Sequence, residues 1–126
     1  MRKITISVDK VTVTAVLKDN PTADAVWKAL PLEARVNTWG DEIYFSIPVE
    51  VKQADDANDA VNRGDLAYWP PGKAFCIFFG LTPASRNGEI RAASKVNVFG
   101  SVEGDATIFK KVSDGARIKV DKAEGI

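Results

Sequence analysis

The chain has 126 residues, 45% of them apolar and 27% charged, with 17 basic and 17 acidic side chains that cancel. That length suits one domain, residues 1–126, with room for a real core, and the absent net charge removes the attraction that nucleic acid or an anionic membrane requires. Histidine is missing and cysteine occurs once, at Cys76, which excludes Ser-His-Asp catalysis, most zinc sites and an internal disulfide.

The chain starts directly in a strand pattern, without an apolar leader. Its longest apolar run, Ala74 to Leu81, is too short to span a bilayer, so a cytoplasmic location is expected. Ile4, Ile6 and Val8 alternate with Thr5 and Ser7, and Asp9-Lys10 turns into Val11 to Leu17, which predicts an opening hairpin. Asn20 as N-cap, Pro21 at the first helical position and Pro31 as a stop predict a helix over 21–30. Its apolar residues Ala23, Val26, Trp27 and Leu30 form one stripe.

Period two returns at Leu32, Ala34 and Val36, with Glu33, Arg35 and Asn37 on the opposite face. Trp39-Gly40-Asp41 turns the chain into Ile43, Phe45 and Ile47, which alternate with Glu42, Tyr44 and Ser46. Residues 50–63, acidic at Asp55, Asp56 and Asp59, read as a loop with at most a turn of helix. A second loop is expected from Thr82 to Lys95, with Asn87-Gly88 as its turn. Val96, Val98 and Val102 mark another strand, Gly104-Asp105 opens a short turn or helix through Val112, and Arg117 to Val120 form the last strand.

Between the two loops lies the stretch from Gly64 to Gly80. Leu66 to Trp69 enters, Pro70-Pro71-Gly72 turns, and Phe75 to Phe79 leaves. Both parities of the outgoing strand are apolar: Phe75, Ile77 and Phe79 on one face, Cys76 and Phe78 on the other. Such a strand is covered on both sides. One side is the core; the other lies under a helix or forms the floor of a groove. Many short strands with one or two helices point to a β-barrel or sandwich with capping helices.

The order of these motifs resembles the cyclophilins. Val96-Asn97-Val98-Phe99-Gly100-Ser101-Val102-Glu103-Gly104, followed by Lys110-Lys111-Val112, is similar to that family's H-V-V-F-G-x-V-x-E-G strand and the helix ending in K-K-V. Pro21-Thr22-Ala23 and Lys28-Ala29-Leu30 echo its P-K-T-A and R-A-L. The central hairpin, taken with Asn37-Thr38-Trp39-Gly40-Asp41-Glu42-Ile43-Tyr44-Phe45, looks more specifically like compact prokaryotic cyclophilin-like proteins. The resemblance implies a mainly β fold, a closed barrel of about eight strands capped by one or two helices. It also implies a groove on the barrel exterior, where the family twists X-Pro amides.

The same resemblance places Arg35 near the family's catalytic arginine, whose donation to a twisted amide would lower a barrier of roughly 18–20 kcal/mol. The family glutamine is lost at Ile43 to Ser46, its histidine falls on Val96, and its tryptophan falls near Arg91. The groove is expected to involve Tyr44, Tyr68, Trp69, Phe75, Ile77 and Arg91, because aromatic walls with a few polar groups suit small ligands. Packing in the core is the competing role for the aromatics.

Asp41 and Glu42 could form an acid–base pair, although turn chemistry already explains Gly40 and Asp41. Asp55, Asp56 and Asp59 fit a solvated loop better than a metal site, and Cys76 reads as a buried, inert thiol. No cofactor, metal, nucleic acid or membrane is expected as a partner. A small molecule or a proline-containing peptide is the expected ligand, and the sequence leaves the oligomeric state open. Three functions stay open: a binding protein with little or no isomerase activity, a divergent prolyl isomerase relying on Arg35, and a structural or self-association role.

Overall fold

The structure is a computed structural model that describes residues 2–123. The opening hairpin consists of β1 (Lys3–Val8) and β2 (Val11–Leu17). Helix α1 (Pro21–Ala29) follows, and the Asn20 side chain accepts the Ala23 N–H at 2.9 Å, satisfying one of the amides that a helix start leaves unpaired. The Asn20 amide also donates to the Val98 carbonyl at 3.2 Å, which ties the helix start to the sheet. Ala23 and Val26 on α1 are fully buried, as the helical stripe requires.

The remaining strands are β3 (Leu32–Arg35), β4 (Asn37–Thr38), β5 (Glu42–Ser46), β6 (Asn58–Val61), β7 (Asp65–Trp69), β8 (Ala74–Phe78), β9 (Ile90–Val102) and β10 (Arg117–Lys122). Short 3-10 segments cover Pro70–Gly72 and Ala106–Lys111. The second of these stands where a short helix was expected, capped by Asp105, whose carboxylate accepts the Thr107 N–H.

Hydrogen bonding orders the strands β3-β10-β1-β2-β9-β7-β8-β5-β4, with β6 paired to β9 off this path. The expected closed barrel of about eight strands is therefore a ten-stranded sheet whose ladder does not close. The reason lies at Val36. Its N–H donates to the Ala116 carbonyl and its carbonyl accepts from Gly115. The segment thus splits into β3, paired with β10, and β4, paired with β5. The two ends of the sheet are joined through one residue of chain instead of through a ladder.

Two further differences concern the loops. Residues 58–61 form β6 and pair with the first part of β9. Strand β9 begins at Ile90, so the second half of the loop expected over 82–95 is strand. Ala92, Ala93, Ser94 and Lys95 carry weak strand preference of their own; they fall in the irregular stretch of the β6–β9 ladder, between the Ala60–Arg91 and Asn58–Val96 pairs that hold its two ends. The expected turn at Asn87-Gly88 is present, with both residues at positive φ, 55° and 74°, and an isolated bridge from Arg86 to Glu89.

The sheet has two buried faces. Inside, Phe75 stacks on Phe45 at 4.9 Å between ring centroids and meets Phe99 edge-on at 5.1 Å. Leu66, Tyr68, Ile77 and Phe79 belong to this interior core. Outside, Ala67, Ala74, Cys76 and Phe78 form a second cluster with Ile90, Ala92 and Val96. The cover over the outer face of β7, β8 and β5 is thus the initial arm of β9, neither a helix nor open solvent.

Candidate ligand-binding site

Between the outer face of the sheet and the β9 arm lies a cavity of ≈ 190 Å³. Its sheet wall carries Glu42 and Tyr44 from β5, Trp69 from β7 and Cys76 from β8. Trp39 stands before β5, and the β9 arm adds Ala92, Ala93 and Val96. The period of the strands explains the grouping. Tyr44 pairs directly with Cys76, Cys76 pairs with Ala67, and Glu42 and Trp69 lie two residues along on the same face.

The turn from Trp39 to Glu42 sets one wall. The Trp39 N–H donates to the Glu42 carbonyl at 3.0 Å, and Asp41 exchanges backbone bonds with Leu81 and Phe79. Gly40 has φ +61°, and a Cβ there would meet Leu81, Thr82 and Pro83 atoms at 2.9 Å, so only glycine fits. Trp69 is held by its indole N–H, which donates to Ser94 Oγ at 2.7 Å. That bond fastens the β9 arm to the end of β7.

Glu42 is only 5% exposed. Its cross-strand partner is Phe78, and among the described residues no lysine or arginine pairs with its carboxylate. Burial pushes the carboxyl up to about 7, an effect partly offset by the neighbouring Cys76 thiol. Burial, reinforced by Glu42, pushes the Cys76 thiol well above its ordinary range, which keeps it protonated. The adjacent Asp41 belongs elsewhere, its carboxylate 3.8 Å from Lys110 Nζ. Among the described residues no cluster of three or more His, Cys, Asp or Glu side chains could hold a metal ion.

The expected site residues divide into three groups. Tyr44 and Trp69 meet at the cavity. Tyr68, Phe75 and Ile77, at 1%, 0% and 0% exposure, lie in the interior core because they occupy the other parity of β7 and β8. The Tyr68 hydroxyl donates to the Val49 carbonyl at 2.6 Å and fixes that loop instead of facing a groove. Arg35 and Arg91 lie apart from the cavity. Arg35 Nη1 donates to the Gly115 carbonyl at 3.1 Å, in a shallow depression formed with Glu33, Ala34 and Arg117. Arg91 pairs with Asp59 at 3.1 Å and with Glu89, clamping β6 and the preceding turn to the β9 arm.

The sequence-based site omits Trp39, Glu42 and Cys76, and with them Ala92, Ala93 and Val96 of the β9 arm. The signal for Glu42 lies in the partner strand. Its face of the sheet carries Cys76 and Phe78, so a carboxylate there is buried among apolar groups even though β5 alternates like a half-exposed strand.

The chain belongs to the cyclophilin-like family, whose model matches residues 2–121. Its structure is similar to the solution structure of the hypothetical protein AF2241 from Archaeoglobus fulgidus, with 38% sequence identity and a TM-score of 0.81. That match covers 97% of this chain and 95% of the other. No curated protein matches. Among the described residues no helix is long and apolar enough to cross a membrane.

Proposed function

We propose that this chain is a small-molecule binding protein with little or no prolyl isomerase activity. The observation that carries the reading is the cavity itself: three aromatic side chains and one buried carboxylate converge on it under the β9 arm. Its ≈ 190 Å³ is below the roughly 300–1,000 Å³ of pockets for drug-sized ligands. A compact metabolite therefore suits it better than an extended proline-containing peptide. The lone thiol, buried at Cys76, fits a reducing cytoplasm.

Isomerase chemistry ranks second because a preorganised donor must face the twisted amide, and Arg35 is engaged with Gly115 away from the aromatic walls. A protease-coupled assay on a proline tetrapeptide is expected to give background rates, unchanged in Arg35→Ala. A measurable rate that collapses in that variant would reverse the ranking. For binding, tryptophan fluorescence against a metabolite library is expected to respond through Trp39 and Trp69; silence across the library would leave the cavity without a ligand-binding role.

A further inference from the structure

We propose that the cavity takes a small organic cation, an alkylammonium, whose charge is met by Glu42. This inference rests on the binding reading above and adds the ligand's chemical class. It starts from the missing partner. A carboxylate that is 5% exposed among apolar neighbours carries a desolvation penalty unless a charge or hydrogen-bond donors compensate it. Among the described residues no cation does so, and the neighbouring Cys76 thiol offsets the burial only in part. The carboxylate lines an opening large enough for a few heavy atoms, so the compensating group has room to arrive from solvent.

The other walls point the same way. Trp39, Tyr44 and Trp69 line the cavity with Glu42, and aromatic faces attract cations through their quadrupoles, tryptophan most strongly. An anion finds no opposite charge here, since among the described residues the walls hold no lysine or arginine, and the Trp69 indole N–H is already committed to Ser94. The titratable groups facing Glu42 are the Cys76 thiol from β8 and the Tyr44 hydroxyl from its own strand; the β9 arm presents only Ala92, Ala93 and Val96. Among the described residues Glu42 is therefore the one acidic anchor in the cavity. Its carboxyl ionises near 7, so a cation binds in competition with a proton, and affinity rises as pH is raised through about 7.

The test is calorimetric titration of the whole chain with three probes: choline, n-butylammonium, and the uncharged carbon isostere of choline in which a tert-butyl group replaces the trimethylammonium. At least one cation is expected to bind about tenfold or more tighter than the isostere. The preference should grow above the Glu42 midpoint and disappear in Glu42→Gln, whose fold is checked by its unfolding transition. The two ammonium probes distinguish a quaternary from a primary amine. Equal binding of choline and its isostere, or a preference that survives in Glu42→Gln, would overturn the cation assignment while leaving the cavity as a binding site. Failure of all three probes also overturns it, and the metabolite screen then decides whether the binding reading itself stands.

Discussion

Glu42→Gln is expected to stabilise the protein by up to about 3 kcal/mol in buffer above pH ~8, and to leave it nearly unchanged below pH ~4. The sign follows from proton linkage. In the unfolded chain the carboxyl ionises around its model value of 4.5, while burial in the fold holds the proton until about 7. Below the lower value both states are protonated and nothing is lost. Between the two values the unfolded chain releases its proton first, so the folded state loses stability as pH rises, and the loss is complete above about 7.

Glutamine keeps the shape without the charge and removes this slope. Asp65 is also raised by burial, and Glu103 and Asp105 are lowered by hydrogen bonds, so each adds its own pH dependence. The difference between wild-type and variant urea midpoints, followed from acid to alkaline pH, isolates the Glu42 contribution. A flat difference would mean that the carboxylate is well solvated or paired, and the cavity would lose its electrostatic character.

Phe75→Ala is expected to cost about 3–5 kcal/mol, while Cys76→Ala costs about 1–2 kcal/mol, although the two residues are adjacent and equally inaccessible. Phe75 fills the interior between Phe45 and Phe99, where neighbouring strands cannot collapse onto the space left by the ring. Cys76 borders an existing cavity, so truncating it enlarges a space already present and leaves few contacts unmade. Urea unfolding of the two variants tests the two-faced sheet directly. Similar costs would indicate that the outer cluster is packed as densely as the interior.

The residues of β8 announced this division plainly. An apolar strand on both parities has to be covered twice, and Phe75, Ile77 and Phe79 do lie in one cluster while Cys76 and Phe78 lie in the other. Helix α1 was equally legible, because Asn20, Pro21 and Pro31 act locally on the backbone and need no tertiary partner. What covers the outer face was not legible. Alternation tells which side chains share a face but says nothing about what packs against it. The arm from Ile90 to Val96 is rich in small and polar residues; its two ends pair with β6, and its middle is fastened by the Trp69–Ser94 bond.

Glu42 stood out only as a neighbour of Asp41, and its burial was hidden for the same reason. A glutamate alternating with Ile43 and Phe45 reads as solvent-facing until the β9 arm is laid across it. Arg35 shows the converse limit. Position in a family pattern placed it beside the groove, whereas its side chain turns to the Gly115 carbonyl and is not among the residues that line the cavity. The mainly β fold and the family could be read from local patterns and their sequence order. The site depended on one long-range crossing that no short motif encodes.

The central claim, that the space under the β9 arm is a ligand site anchored by Glu42, is tested most directly by following the indole N–H resonances of the three tryptophans during a choline titration. Trp39 and Trp69 line the cavity, while Trp27 sits on α1 under Arg2 and Lys122. The expected result is a saturable shift of the Trp39 and Trp69 signals with Trp27 unmoved, abolished in Glu42→Gln. Shifts at Trp27 alone, or equal small drifts at all three, would contradict a ligand site under the β9 arm.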